Sequence, residues 1–156
     1  MAAWEEASNV SDSSEVSVVI ASCSGPDDLR LCLESVMPHA AEAEIIVAAP
    51  TSFRAGPVVA RFPGVILLEA PESTSVFRLR SLGLARARGR FVVLTEDHCV
   101  VAPDWLERLQ AAHAEGRSVV GGPVDSGMKG VRARALSSWS TRRCFRGGRE
   151  AAPFRE

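Results

Sequence analysis

Short apolar, β-branched runs alternate along the chain with segments whose apolar residues recur at helical spacing. The apolar runs predict strands at residues 16–21, 44–49, 65–69, 91–95 and 118–121. The helical spacing predicts helices at residues 24–37, 73–88, 103–113 and 131–140. Residues 53–62 are a weaker helix or a loop, because Gly56-Pro57 interrupts the pattern. Fully apolar strands that alternate with helices are typical of a parallel sheet covered on both faces. The pattern therefore predicts an α/β fold with a mostly parallel, Rossmann-like sheet.

The residues that punctuate these segments support the same arrangement. Gly25 and Pro26, followed by two acidic residues, predict a helix start, because Pro fits the first turn and acids face the positive helix end. Pro38 predicts the end of that helix, and Gly89 predicts the end of the 73–88 helix. In such sheets, ligands bind beyond the carboxyl ends of the strands. Residues 22–24, 48–51 and 96–98 are therefore the predicted ligand-facing segments.

The chain has 156 residues, a length that suits one domain. We expect a disordered leader at residues 1–14, an α/β domain at 15–128 and a basic C-terminal helix and tail at 129–156. The last part contains eight basic and two acidic residues, a net charge of +6, and the rest of the chain carries −7.

The basic tail offers a choice of anionic partners. A diphosphate or an anionic membrane face would suit its charge, but a solvated helix with a frayed end is the interpretation we favour. No nucleic-acid partner is predicted, because no basic patch is interleaved with aromatic residues. Membrane association and a homo-oligomer stay open.

Targeting and cysteine patterns indicate a cytoplasmic protein. Residues 1–14 are polar and acidic and lack the basic start and apolar stretch of a signal peptide. No apolar run approaches the roughly 20 residues of a membrane span. The four cysteines form no C-x-x-C pair, so they are interpreted as small apolar residues in a reducing compartment.

The chemically richest segment follows the predicted fourth strand directly. Glu96, Asp97 and His98 are three consecutive ionisable residues at the end of a buried apolar run. A carboxylate and a nearby imidazole could share a divalent cation, with Mn²⁺ or Mg²⁺ as the expected ion. A polar turn before the next helix would give the same pattern. Arg86, Arg88 and Arg90 could reach a phosphate, although they equally complement a helix dipole.

Two stretches resemble family 2 glycosyltransferases. Residues 16–35, VSVVIASCSGPDDLRLCLES, are similar to the opening of that family. Residues 80–106, RSLGLARARGRFVVLTEDHCVVAPDWL, are similar to its central block, an R-N-x-G helix, an apolar strand, an Asp-x-Asp motif and a Pro-Asp-Trp helix. The resemblance implies the GT-A fold, a nucleotide-diphosphate sugar donor, an acceptor of unknown identity and a divalent metal.

The resemblance also implies a role for individual residues. Glu96 and His98 stand at the two acidic positions of Asp-x-Asp and are the implied metal ligands, with Asp97 between them as a third candidate. Arg80 matches the arginine of the R-N-x-G helix. The implied donor contacts are Arg80, Glu96, Asp97 and Ser22, which ends the first predicted strand.

The chain departs from the family pattern in three places, one of which is Ser81 in place of the usual Asn beside Arg80. Its second predicted strand ends in Ala-Ala-Pro-Thr, without the carboxylate that recognises the nucleobase in the family. No Glu-Asp pair follows His98, so no catalytic base is assigned, and Asp125 is interpreted as a loop carboxylate.

These departures leave three hypotheses open. The first is a metal-assisted glycosyltransferase, complete or part of a longer chain. The second is a donor-binding module without catalysis. The third is another nucleotide-binding α/β domain, which would need a phosphate loop at the first strand, where only Gly25 gives the backbone freedom such a loop requires.

Overall fold

The computed structural model describes residues 14–122 of the chain. Four parallel strands form one sheet: β1 (Val16–Ala21), β2 (Glu44–Pro50), β3 (Val65–Ala70) and β4 (Phe91–Glu96). The helices are α1 (Pro26–Val36), α2 (Gly56–Val59), α3 (Val76–Arg86) and α4 (Trp105–Ala114), with 3-10 turns at Met37–His39 and Thr51–Phe53. The predicted α/β fold with a parallel sheet is confirmed.

The strands lie in the order β3-β2-β1-β4, so the chain reverses direction across the sheet between β1 and β4. The chain first builds outward from β1 through β2 to β3. It then returns through α3 to place β4 on the other side of β1. The register pairs Ala21 with Ala48 on one side and with Glu96 on the other. The carboxyl ends of these three strands therefore lie at one edge of the sheet.

Helices pack on both faces of the central strands β1 and β2. In β4, Val92 and Leu94 are 37% and 47% exposed, so the expectation that the strand before residues 96–98 is fully buried is wrong. On one face, α1 and α2 pack on the side chains of β1 and β2 that point to that side, together with Leu106. On the other face, α3 packs over β1 and β2, and Leu79 is its fully buried contact. The central strands β1 and β2 are buried on both faces, which explains why neither shows polar alternation.

Gly83 allows α3 to approach the sheet closely. A β-carbon built at this position would lie 2.2 Å from Cγ1 of Val19, which is fully buried in β1. A β-branched side chain in a filled core has no rotamer that removes such an overlap without shifting its neighbours. The glycine therefore sets the distance between α3 and β1.

A buried polar network fixes the connection from α3 to β4. Glu44 accepts hydrogen bonds from the Ser17 hydroxyl at 2.6 Å and the Arg88 amide at 2.9 Å, and it pairs with Arg86 at 3.1 Å. Ser17 Oγ in turn accepts from the Gly89 amide at 2.8 Å. Ser17 and Glu44 lie near the starts of β1 and β2, at the end of the sheet away from residues 96–98. The ion pair of Arg86 with Glu44 at that end disfavours the suggestion that Arg86 reaches a phosphate.

Two predicted segments contain less regular structure than their sequence patterns suggest. Residues 118–121 form no strand, so the predicted fifth strand is wrong: four residues offer few ladder hydrogen bonds, and the glycines that follow favour irregular backbone. In the segment 53–62, predicted as a weaker helix or a loop, only the single turn α2 is α-helical, and Gly56 and Pro57 begin that turn.

The chain divides into two compact units after Leu106, and the second unit begins inside α4. The leader, the boundary at residue 128, the helix at 131–140, Asp125 and the basic tail lie outside the described residues. Within residues 14–122, no helix combines the length and apolar character that crossing a bilayer requires.

Replacement of Gly83 by alanine is expected to destabilise the protein by about 1–3 kcal/mol, because overpacking against Val19 outweighs the gain of up to about 1 kcal/mol in helix propensity. Chemical denaturation would measure the change. Gly56→Ala is the matched control, since its β-carbon would lie 4.0 Å from Leu67. In the Gly83→Ala background, Val19→Ala should restore part of the lost stability, because it removes the side chain that the new β-carbon overlaps. Equal stability of Gly83→Ala and the wild type would contradict the close approach of α3 to β1.

Candidate functional site at the carboxyl ends of β1 and β4

The candidate site lies where the strand order reverses. Residues 22–25 follow β1, and residues 97 and 98 follow β4, so both segments emerge side by side at the same edge of the sheet. Backbone pairing continues briefly past both strands, with the Asp97 amide donating to Ala21 at 3.3 Å and the Ser22 amide donating to Ala48 at 2.9 Å. In open α/β sheets, the crevice at such a reversal is the usual ligand site.

The Asp97 carboxylate holds the β1–α1 loop in place. One oxygen, Oδ2, accepts hydrogen bonds from the Ser22 hydroxyl at 2.9 Å and the Ser24 amide at 2.7 Å. The other, Oδ1, accepts from the Ser24 hydroxyl at 2.8 Å. Asp97 is only 1% exposed, so both oxygens are turned into the protein. This side chain joins the end of β4 to the start of α1.

These hydrogen bonds decide the ionisation of Asp97. Burial by itself raises the pKa of this carboxyl group, but donation from the Ser24 amide and hydroxyl, the Ser22 hydroxyl and the Gly25 amide outweighs it. The pKa therefore lies below its ordinary value. Gly25 has a φ of 151°, a backbone conformation that residues other than glycine rarely adopt, and its amide donates to the same carboxylate.

The start of α1 is consequently occupied from within the protein. The amides of Ser24 and Gly25 are the groups that would cradle a phosphate in a phosphate loop, and here they donate to Asp97. Asp27 and Asp28 add negative charge to the first turn. The hypothesis of a phosphate loop at the first strand is therefore disfavoured.

Glu96 is directed away from Asp97, towards α3. Its carboxylate forms an ion pair with Arg80 in which both side chains are 31% exposed. The Arg80 guanidinium also lies over the ring of Phe77, 5.7 Å from its centre. The Glu96 carbonyl accepts hydrogen bonds from the Cys99 amide at 3.1 Å and the Cys32 thiol at 3.6 Å. Glu96 thus links both helix layers while leaving its carboxylate partly open.

His98 is the most open member of the cluster, with 55% of its side chain exposed. Its Nε2 atom lies 3.4 Å from Oε2 of Glu96. Its Nδ1 atom lies 3.3 Å from the Ser24 hydroxyl and 3.5 Å from Oδ1 of Asp97. The imidazole therefore lies between an outward-facing carboxylate and an inward-facing one.

The candidate metal ligands of this site suit a divalent cation that takes most of its ligands from phosphate and water. Within residues 14–122, no group of three acidic, histidine or cysteine side chains is arranged to hold a metal by itself. Glu96 and His98 place an oxygen and a nitrogen 3.4 Å apart on an open surface. Mg²⁺ and Mn²⁺ are commonly held by one or two protein ligands plus phosphate and water. As a third ligand Asp97 stays a prediction, and its two oxygens are both hydrogen-bonded.

The structure brings together all five residues that the sequence analysis selected. Ser22, Arg80, Glu96, Asp97 and His98 form one connected network. Ser22 is 1% exposed and donates to Asp97, so its hydroxyl supports the loop from inside. Sequence reasoning missed Ser24 as a contact of His98, although its place beside the glycine that starts α1 was the available signal.

Two of the thiols near the site, those of Cys23 and Cys32, have raised pKa values. Cys32 is fully buried in the core, and burial together with Cys99 and Asp97 raises the pKa of its thiol to about 12. For Cys23, burial and the Asp97 charge raise the pKa, and Arg80 opposes them only in part. Protonated thiols are poor nucleophiles. The interpretation of Cys32 as a small apolar residue is confirmed.

Comparison with known proteins gives a family and two partial relatives. The sequence profile described as glycosyl transferase family 2 matches residues 17–153. A stretch of 66 residues is 42% identical to the Homo sapiens protein "Polypeptide N-acetylgalactosaminyltransferase 15", and 39% identical to its Mus musculus counterpart. In each case the match covers 42% of this chain and 10% of the relative. The chain thus spans about a tenth of the length of these relatives.

Acid should remove the stabilisation that Asp97 provides. Because its folded-state pKa is lowered, this stabilisation is complete above the unfolded value, about 3.9, and is lost as pH falls through the folded pKa. Asp97→Asn is expected to lower the free energy of unfolding at pH 7 by about 2–4 kcal/mol and to flatten its decline in acid. Denaturation at a series of pH values in EDTA would measure both effects.

Asp27→Asn is the matched control, because this exposed aspartate lies in the first turn of the same helix. We expect it to change stability by less than about 1 kcal/mol. If Asp97→Asn behaved like Asp27→Asn at neutral pH, the carboxylate would not be what holds the loop.

Proposed function

The chain belongs to glycosyl transferase family 2, and on this premise we propose that it binds a nucleotide-diphosphate sugar beyond β1 and β4 and transfers the sugar to an acceptor hydroxyl. One observation carries the proposal: Arg80, Glu96 and His98 meet on an open surface where the strand order reverses. That surface offers the guanidinium of Arg80 and two candidate metal ligands, Glu96 and His98, in the place where open α/β sheets bind nucleotides.

Arg80 is proposed to bind the diphosphate of the donor. Its planar guanidinium suits bidentate contact with phosphate oxygens. Phe77 supports the guanidinium from one side, and Glu96 orients it from another. Since Arg80 is 31% exposed, a ligand can reach it without unfolding α3.

Glu96 and His98 are proposed to hold a divalent cation, Mn²⁺ or Mg²⁺. When bound, such an ion would offset the negative charge of the nucleoside diphosphate as it leaves. The residues of the chain contribute the oxygen of Glu96 and a ring nitrogen of His98, and the diphosphate and water would complete the coordination. Asp97 and Ser22 are proposed to assist donor binding indirectly, by keeping the β1–α1 loop clear of the cleft.

N-acetylgalactosamine is the first sugar to test, because both partial relatives are named for its transfer. The acceptor of this chain is left unassigned. The relatives carry "polypeptide" in their names, and the overlap with them is 66 residues long. A panel of nucleotide sugars should therefore precede any search for acceptors.

A second candidate function is donor binding without transfer. Within residues 14–122, both carboxylates of the site have other partners: Glu96 pairs with Arg80, and Asp97 bonds to the loop. Both carboxylates therefore already accept hydrogen bonds or form ion pairs within the protein. This observation favours a binding module over a catalyst for the described part of the chain.

Nucleoside diphosphate binding should require both the metal pair and Arg80. Titration calorimetry with UDP, GDP and dTDP, with and without Mn²⁺, should show metal-dependent binding of at least one of them. Arg80→Ala and His98→Ala should each weaken that binding about tenfold or more, because each removes a charged or coordinating contact to the diphosphate site.

Arg30→Ala is the matched control for Arg80→Ala, since Arg30 forms an ion pair with Glu34 on the exposed side of α1 at 2.9 Å. Its loss should leave the affinity unchanged. Metal-dependent binding that survives His98→Ala intact would remove the site assignment, and so would equal effects of Arg30→Ala and Arg80→Ala.

Turnover separates the two candidate functions. Incubation of the full chain with Mn²⁺ and a panel of nucleotide sugars should release nucleoside diphosphate. When no acceptor is present, the release should be slow, because the sugar is then transferred to water. Glu96→Ala should abolish the release. Binding without any release, from a preparation that passes the calorimetric test, would instead establish the non-catalytic module.

A further inference from the structure

The Nδ1 side of the His98 ring faces oxygen atoms that have no proton to give. Ser24 Oγ lies 3.3 Å away and Asp97 Oδ1 lies 3.5 Å away. Which of the two ring nitrogens carries the proton depends on what these two oxygens can do. The hydrogen bonds around Asp97 settle that question.

Asp97 acts only as an acceptor. The Ser24 amide lies 2.7 Å from Oδ2 and can only donate, and the Ser22 hydroxyl donates to the same oxygen. Donation to Oδ2 from both of these groups identifies the Asp97 carboxylate as the hydrogen-bond acceptor in this network.

The Ser24 hydroxyl therefore donates its one hydrogen to Asp97. It lies 2.8 Å from Oδ1, an acceptor, so the hydroxyl hydrogen points there. The lone pairs of Ser24 Oγ remain for His98. If Nδ1 were unprotonated, its lone pair would face lone pairs on both oxygens, which is repulsive. Proton placement on Nδ1 turns both contacts into attractive ones. The cost is one contact on the other side of the ring, between a bare Nε2 and Oε2 of Glu96 at 3.4 Å, and the charge of that carboxylate is already partly offset by Arg80.

We infer that Ser24 is a positioning residue that holds the neutral His98 ring in the Nδ1–H tautomer. A neutral imidazole has one N–H and one bare nitrogen, so Nε2 is the atom left with a free lone pair. Nε2 is also the atom that lies 3.4 Å from Oε2 of Glu96. Ser24 and Asp97 thereby determine that Nε2 is the unprotonated nitrogen on the exposed side of the His98 ring.

The consequence for a cation rests on the proposed function. Two electron-rich atoms, Nε2 of His98 and Oε2 of Glu96, face the same open position, and a divalent cation between them would relieve their repulsion. Histidines that bind metals commonly donate their other N–H to a protein oxygen, and loss of that oxygen typically lowers metal affinity about 10–100-fold. In this chain, Ser24 supplies the oxygen, backed by Asp97.

Nitrogen NMR of the metal-free full chain tests the tautomer directly. Long-range ¹H–¹⁵N correlation spectra, recorded at a pH where the ring is shown to be neutral, distinguish a protonated from a bare ring nitrogen. The chain has three histidines, so the spectrum of His98→Gln identifies the His98 signals. We expect a protonated Nδ1 and a bare Nε2. A protonated Nε2, or an even mixture of the two tautomers, would overturn the inference.

Substitutions at Ser24 test its role in the selection. Ser24→Ala should return a measurable population of Nε2–H, the tautomer that an isolated histidine side chain favours in water. Ser24→Thr keeps the hydroxyl and should preserve Nδ1–H. Ser81→Ala removes a hydroxyl that donates to a helix carbonyl on α3 and should leave His98 unchanged. A ring that stays fully Nδ1–H in Ser24→Ala would show that Ser24 does not position it.

Binding of Mn²⁺ with UDP, followed by electron paramagnetic resonance, separates this inference from the proposed function. Ser24→Ala should weaken Mn²⁺ binding about tenfold or more and Ser24→Thr should restore it. Absence of Mn²⁺ binding by the wild type would remove the metal from the proposed function, while an observed Nδ1–H tautomer would still uphold the role of Ser24.

Discussion

The contact between the Asp97 carboxylate and the β1–α1 loop is the constraint on which the rest of the site depends. A buried, ionised carboxylate requires several donors, because desolvation of an unpaired charge is costly. The hydroxyls and amides of residues 22–25 supply them. In doing so, they fix the loop after β1 against the end of β4. Two chain segments that are more than 70 residues apart are thereby held at one edge of the sheet.

This inward role of Asp97 explains how three consecutive ionisable residues share one strand end. Asp97 and His98 lie in a turn that begins where β4 ends, and the Cys99 amide donates to the Glu96 carbonyl across it at 3.1 Å. In this turn Asp97 is buried and holds the β1–α1 loop, whereas Glu96 and His98 remain partly exposed beside Arg80. The turn thereby leaves one carboxylate and one imidazole partly exposed. The functional proposal needs no rearrangement of this framework.

Much of the fold and of the site could be predicted from the sequence, for identifiable reasons. Strands β1 and β2 are apolar on both faces, and Pro38 and Gly89 mark helix ends, so local patterns determine these elements. The fifth strand was wrong because a four-residue apolar run carries no information about a pairing partner. Glu96, Asp97 and His98 were found because they follow an apolar strand, whereas Arg80, which lies in α3, was found through the resemblance to the R-N-x-G helix. The direction of Asp97 and the contact of Ser24 with His98 could not be found, since both depend on which loops the strand order brings together.

The central claim is that the open end between β1 and β4 holds a nucleoside diphosphate through a divalent cation. A crystal structure of the chain with Mn²⁺ and a nucleoside diphosphate, with anomalous scattering to locate the metal, tests it most directly. The account predicts one manganese peak in contact with the Glu96 carboxylate and Nε2 of His98, with the phosphates beside Arg80. A manganese peak elsewhere, or an imidazole that points away from the bound diphosphate, would contradict it.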